Sequence, residues 1–241
     1  MKTLAMIATL SFAAGLSAQV QKKDVDIQAG DGVNLKGTYF SAARPGPAML
    51  LLHQCNMDRH AWDGLAADLA GNGFNVLTVD FRGFGESGGS KSTDPDTRAA
   101  ERKKWPSDVD AAYSYLINQK GVDSSGIAAG GASCGVTQSS DLAARHHEIR
   151  ALMILSGQAS DAAKAYIAST ALPVFGAASE GDTNAAKGIR EAVGASKDPK
   201  SVVKIYAGTE HGVPMFAKNP ELEPAIVAWL KAQLPAGGGT H

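Results

Sequence analysis

The chain has 241 residues, 44% of them apolar and 20% charged, with 23 basic against 24 acidic side chains for a net charge of −1. This length and composition support a sizeable core, in a single α/β domain or two small domains, and exclude a disordered tail or a coiled coil. It carries no basic excess for nucleic acid and no polybasic run for anionic lipid, and its two cysteines are too few for a disulfide framework or a Cys-ligated zinc site.

At the N-terminus, Met1-Lys2 is a short basic start and Thr3 to Leu16 is apolar or small throughout. Ala18 then offers a small residue for cleavage before Gln19. The run is too short for a transmembrane helix and is expected to be a secretory signal peptide over residues 1–18. A single mature domain over residues 19–241 would then follow, in a periplasmic or extracellular space, with no membrane contact once the leader is removed.

Along the domain, Val25 to Ile27 and Val33 to Phe40 form a predicted hairpin around Gly30-Asp31-Gly32. Ala48 to His53 is nearly all apolar, as in a strand buried on both faces. A helix follows with Trp62, Leu65, Ala66 and Leu69 on one face, ended by Gly71 and Gly73. Phe74 to Val79 is another buried strand, and Arg82 to Asp96 is expected to be a loop. Val109, Tyr113 and Leu116 mark the next helical face, and Arg102-Lys103-Lys104 is expected on a solvated helix face. Gly126 to Gly131 is a strand, and a helix opens near Cys134. Arg150 to Leu155, Leu172 to Ala177 and Ser201 to Tyr206 are further strands. A last helix is capped by Asn219, with Pro220 at its first position and Leu222, Ile226, Trp229 and Leu230 inward. The alternation predicts a doubly wound, mostly parallel, eight-stranded α/β sheet with helices on both faces. Ligand chemistry in such sheets lies beyond the carboxyl ends of the strands.

The pattern Gly-x-Ser-x-Gly occurs at Gly131-Ala132-Ser133-Cys134-Gly135 and at Gly85-Glu86-Ser87-Gly88-Gly89. A nucleophile elbow needs a strand before the serine and a helix after it. Ser133 has both, whereas Ser87 runs into GGSKSTDPD and is expected in a turn. The bland alternative for Ser133 is a helix N-cap. A serine of ordinary acidity needs a base, and the base an orienting acid. His211 follows the strand Ser201 to Tyr206, and Asp182 follows Leu172 to Ala177, in the chain order Ser133, Asp182, His211. Glu180 and Asp161 compete with Asp182 for the acid position. His53 is expected to organise its loop, His60, His146 and His147 to lie on helix surfaces, and Asp80 and Arg82 to tie together the loop after their strand. No spacing suits a metal and no glycine-rich loop carries a phosphate-binding lysine, so neither metal nor cofactor is expected.

These residues resemble the α/β-hydrolase family over nearly the whole mature chain. The likeness rests on His53 closing a strand with Trp62 nine residues on, Asp80-Phe81-Arg82-Gly83-Phe84-Gly85-Glu86-Ser87, the Ser133 elbow, Pro173-Val174 leading to Asp182, and His211-Gly212. Within the family the chain looks most like the small, lidless, dienelactone-hydrolase-like branch, which often carries a cysteine where this chain has Ser133. The family's usual His-Gly is here His53-Gln54-Cys55, a departure at the acyl pocket that puts Gln54 at the expected substrate position. The resemblance implies a serine hydrolase acting on a small-molecule acyl substrate (an ester, thioester or lactone), with Ser133, Asp182 and His211 catalytic. The backbone N–H groups of Cys55 and Cys134 would form the oxyanion hole. Peptidase or acyltransferase chemistry on the same residues, or a non-catalytic binding protein, are the alternatives. Two oxyanion donors must lie near each other, so Cys55 and Cys134 either pair as a disulfide or stay as two buried thiols.

Overall fold

In the computed structural model, residues 20–42 and 44–234 are described. The leader expected over residues 1–18 and the glycine tail lie outside them. Strands β1 (Gln21–Gln28) and β2 (Asn34–Ser41) form the antiparallel hairpin, turning at Gly32, whose φ of 85° suits a residue without a side chain. Strands β3 (Gly46–Leu52), β4 (Asn75–Val79), β5 (Val122–Ala132), β6 (Ile149–Leu155), β7 (Val174–Ser179) and β8 (Val202–Tyr206) run parallel to one another, and β2 pairs antiparallel with β4. The eight strands lie in the order β1-β2-β4-β3-β5-β6-β7-β8.

Alternation along each strand sends side chains to two cores. Leu50, Leu52, Leu77, Ile127 and Leu152 pack beneath α3 (Trp105–Ile117), α4 (Cys134–Arg145), α5 (Asp161–Thr170) and α6 (Thr183–Ala195). Met49, Leu51, Val76, Met153 and Phe175 pack on the other face against α1 (Asp63–Gly71), the short α7 (Met215–Lys218) and α8 (Leu222–Gln233). Both faces are covered, as the apolar β3 and β4 runs imply.

Strands β1 and β5 each begin four residues earlier than the sequence reading has them, and the helical segments differ from it in three places. The segment expected as a loop up to Asp96 holds the start of α2 (Pro95–Arg102), which buries none of its residues and so has no apolar stripe to betray it. Its signal is instead the cap: Asp94 accepts from the Thr97 N–H at 2.8 Å, with Pro95 at the first turn. Of the basic run, only Arg102 is helical within α2; Lys103 and Lys104 form the turn into α3. The last helix begins at Leu222 rather than Pro220, because Asn219 closes α7 and its carbonyl accepts from the Leu222 N–H at 2.9 Å.

Two buried ion pairs fix the loop after β4. Asp80 is fully buried; it accepts from the Arg59 guanidinium at 2.5 Å, the Arg59 N–H at 2.7 Å and the Glu86 N–H at 2.9 Å. Arg82 forks onto Asp108 at 2.6 Å and onto Asp31 at 2.7 and 2.9 Å. Burial pushes the Asp108 carboxyl up, whereas the Arg82 hydrogen bonds hold Asp31 well below the usual carboxylate range. Ser87 is a turn residue as expected: it donates to the Asp80 carbonyl at 2.7 Å and accepts from the Lys36 N–H at 2.8 Å.

His53 lies fully buried at the end of β3. Its Nε2 accepts from the Phe81 N–H at 3.0 Å, so Nδ1 carries the proton and donates to the Gln54 carbonyl at 2.8 Å. Burial lowers its pKa from the ordinary 6.5. The unfolded chain therefore binds a proton first as pH falls. The stability due to neutral His53 is complete above 6.5 and is lost as pH drops through that value towards the lower folded one. Urea midpoints measured between pH 7.5 and 5 should fall for the wild type and fall less for His53→Gln.

Candidate active site

Strand β5 sits between β3 and β6, in the middle of the sheet, and its register with β6 pairs Ala132 with Leu155. Ser133 follows directly and adopts φ 54°, ψ −118°, a conformation disfavoured for any residue with a side chain. The surroundings hold it there. Its N–H donates to the Leu155 carbonyl at 2.9 Å, and its own carbonyl accepts from the Val136 N–H at 2.9 Å. The flanking glycines make room: a Cβ on Gly131 would strike the Gly135 backbone, and one on Gly135 would strike the Leu52 carbonyl. Helix α4 opens at Cys134, so the N–H next to the serine is one of the four at a helix start that lack an intrahelical partner. The serine is a strand-to-helix elbow and makes no side-chain cap bond, which sets aside the N-cap reading.

The acid and histidine come from β7 and β8, whose register pairs Ser179 with Tyr206. The chain leaves both strands side by side, and the two loops are laced together. The Glu180 N–H donates to the Tyr206 carbonyl at 2.7 Å, the Gly181 N–H to the Gly208 carbonyl at 2.8 Å, and the Ser179 hydroxyl to the Glu210 carbonyl at 2.7 Å. Across this lacing His211 Nδ1 lies 2.5 Å from Asp182 Oδ2. A carboxylate only accepts, so the proton sits on Nδ1 and Nε2 presents its lone pair. The His211 side chain is 44% exposed. Asp161 stands at the start of α5 with its side chain 100% exposed and pairs with Lys164, and Glu180 is exposed. Of the three acids, Asp182 is the one against the histidine. Ser179 was not singled out in the sequence; its only local signal is a hydroxyl ending a buried strand just ahead of the acid loop.

Cys55 and Cys134 are joined by a disulfide, with Cα atoms 5.8 Å apart across 79 residues of sequence. The pairing follows from register. Leu52 of β3 lies opposite Gly131 of β5, and each cysteine is three residues further along its strand's exit. Gln54, expected against the substrate, is instead 1% exposed with both ends of its amide engaged within the protein. Its Oε1 accepts from the Val213 N–H at 2.9 Å and its Nε2 donates to Asn56 Oδ1 at 2.8 Å. Among the described residues no group of three or more His, Cys, Asp or Glu side chains could hold a metal ion, and no helix is long and apolar enough to cross a membrane.

A central elbow serine with an acid–histidine pair two and three strands away defines the class of doubly wound hydrolases. The model of the α/β hydrolase fold matches residues 47–197, and the chain belongs to that family. An uncharacterized protein of Mycobacterium tuberculosis is 33% identical over 123 residues, which cover 50% of this chain and 41% of that protein. The polyketide transferase GrgF of a Penicillium species is 28% identical over 119 residues, 48% of this chain and 40% of that one. The matches thus span about two fifths of the length of these curated relatives. Among solved structures, the crystal structure of GrgF superposes with a TM-score of 0.71 at 16% identity, covering 88% of this chain and 99% of that one. A Pyrococcus furiosus esterase gives 0.68 at 19% identity, covering 95% and 98%. A dienelactone hydrolase-like promiscuous phosphotriesterase from metagenomic libraries gives 0.64 at 15% identity, covering 90% and 99%. At these identities the superpositions speak for the fold alone.

Proposed function

We propose that the protein is a secreted serine hydrolase that cleaves a carboxylic ester, thioester or lactone of a small substrate through an acyl-enzyme. The observation that carries this reading is the His211–Asp182 pair at 2.5 Å, set beyond the carboxyl ends of the same parallel strands as an elbow serine held at φ 54°. In this reading Ser133 Oγ attacks the acyl carbon while His211 Nε2 takes its proton. His211 then gives that proton to the leaving oxygen or sulfur, and Asp182 steadies the imidazolium. The N–H groups of Cys55 and Cys134 face the oxygen on which negative charge develops, an interaction worth roughly 3–4 kcal/mol of barrier per donor. Water activated by His211 releases the acid. Secretion rests on the leader motif, and a disulfide suits an oxidising compartment.

A fluorophosphonate probe should label Ser133 and leave Ser133→Ala unlabelled; an unlabelled wild type would remove the serine-hydrolase reading. Substrate size follows from the link between β6 and β7, where many relatives carry a lid and this chain has only residues 156–173, with α5 as their one helix. Acetate and butyrate p-nitrophenyl esters should therefore show higher kcat/KM than decanoate or palmitate. Better turnover of the long chains would contradict an open, shallow site. The likeness to a polyketide transferase favours one second reading, acyl transfer to an acceptor other than water. Product analysis with added alcohols and amines separates the two.

A further inference from the structure

We infer that Gln54 and Cys55 are a pair of positioning residues that clamp the nucleophile's helix and the histidine's loop to a common point; this rests on the serine-hydrolase reading above. The two neighbours stand where the family pattern has a glycine and its successor, and each reaches a different catalytic segment. Cys55 is bonded to Cys134, the residue after Ser133. Gln54 accepts from the Val213 N–H, two residues after His211, at 2.9 Å. The Val213 N–H can only donate, which fixes that end of the Gln54 amide as oxygen and leaves Nε2 to donate to Asn56 Oδ1 at 2.8 Å. Gly212 has φ 71°, and a Cβ there would collide with Gln54 Oε1, so the histidine loop approaches this amide as closely as only glycine permits.

The anchor itself is rigid. The Gln54 carbonyl accepts from His53 Nδ1 at 2.8 Å and from the Met57 N–H at 3.0 Å, and His53 is held in turn by the Phe81 N–H. Nucleophile and base come from strands separated in the sheet by β6 and β7, β5 carrying one and β8 preceding the other. Strand packing alone leaves their loops free to shift relative to each other. A shared anchor one dipeptide long removes that freedom and also holds the Cys55 and Cys134 Cα atoms 5.8 Å apart. Alignment of this kind acts on kcat: an error near 1 Å costs on the order of 100-fold.

The test compares the oxidised wild type with Gln54→Ala, Gln54→Glu and the Cys55→Ala/Cys134→Ala double variant, which leaves no lone thiol. Alkylation under denaturing, non-reducing conditions should first find no free thiol in the wild type. At a temperature where near-UV circular dichroism shows every variant folded, kcat and KM for p-nitrophenyl butyrate and the rate of fluorophosphonate labelling are measured. Gln54→Ala and the double variant should each lose on the order of 10–100-fold in kcat and in labelling rate, with little change in KM. Gln54→Glu keeps an acceptor for the Val213 N–H and, with the Asn56 amide turned so that its Nδ2 donates, should recover much of the loss. Reducing the wild type with a phosphine should reproduce the double variant. A labelled, active wild type whose variants keep full kcat overturns this inference alone. Losses that merely follow the unfolded fraction, or that Gln54→Glu fails to relieve, overturn it too. A wild type that neither turns over ester nor labels overturns it together with the hydrolase reading.

Discussion

Alanine at Ser133 or at His211 should lower kcat for a short-chain ester by on the order of 10⁵–10⁶-fold, and the double variant by hardly more. The physical reason is that the two act as one unit. Without the base, the serine hydroxyl is a poor nucleophile; without the serine, the base has no proton to take. Asp182→Asn should cost about 10⁴-fold, because an amide can donate to Nδ1 and so favour the wrong imidazole tautomer. Asp161→Asn is the internal control: its side chain is fully exposed at the start of α5 and pairs with Lys164, so kcat should stay at the wild-type value. Steady-state kinetics on the five variants, with circular dichroism to confirm folding, check the set. Additive losses in the double variant, or a larger effect at Asp161 than at Asp182, would contradict the assignment.

The second large effect is on stability rather than rate. Asp80→Ala should lower the unfolding free energy by about 3–5 kcal/mol, since it removes the one fully buried carboxylate on the Arg59 guanidinium and leaves it the largely exposed Glu86 and Asp24. Arg59 is 2% exposed, and with Asp80 gone the Arg59 and Glu86 N–H groups also lose their acceptor. For a domain of this size that corresponds to a fall in Tm of roughly 6–20 °C. Asp80→Asn should be milder, because its amide oxygen still accepts one of those N–H groups. Surface pairs give the contrast: removing Lys22, whose side chain is 47% exposed in its bridge to Asp63, should cost about 1 kcal/mol or less. Urea unfolding of the three variants decides it, and equal losses at Asp80 and Lys22 would show that burial is not the governing term.

The sheet was legible in the sequence because its strands are coded locally. A run such as Ala48 to Leu52 can bury both faces only inside a sheet with helices on each side, and the intervening helices show apolar residues at three- and four-residue steps. The elbow was legible for the same reason: glycines two residues either side of Ser133, a strand before it and a helix after it are all short-range features. Helix α2 escaped because it buries nothing, so apolar periodicity is silent there and only Asp94-Pro95 marks its start.

Tertiary structure decided what depends on which strand ends meet. Three acids followed suitable strands, and only the lacing of the β7 and β8 exits brings one of them, Asp182, to His211. Two cysteines could have stayed apart; the in-step register of β3 and β5 carries them to 5.8 Å. Gln54 looked like a substrate contact because it occupies the acyl loop, yet its amide turns inward to Val213 and Asn56. The partnership of Arg59 with Asp80 spans 21 residues and left no mark on either local sequence. Local sequence sets which backbone conformations are cheap and which faces are apolar. The pairing of side chains far apart in the chain is set by strand order and register, which only the assembled sheet defines.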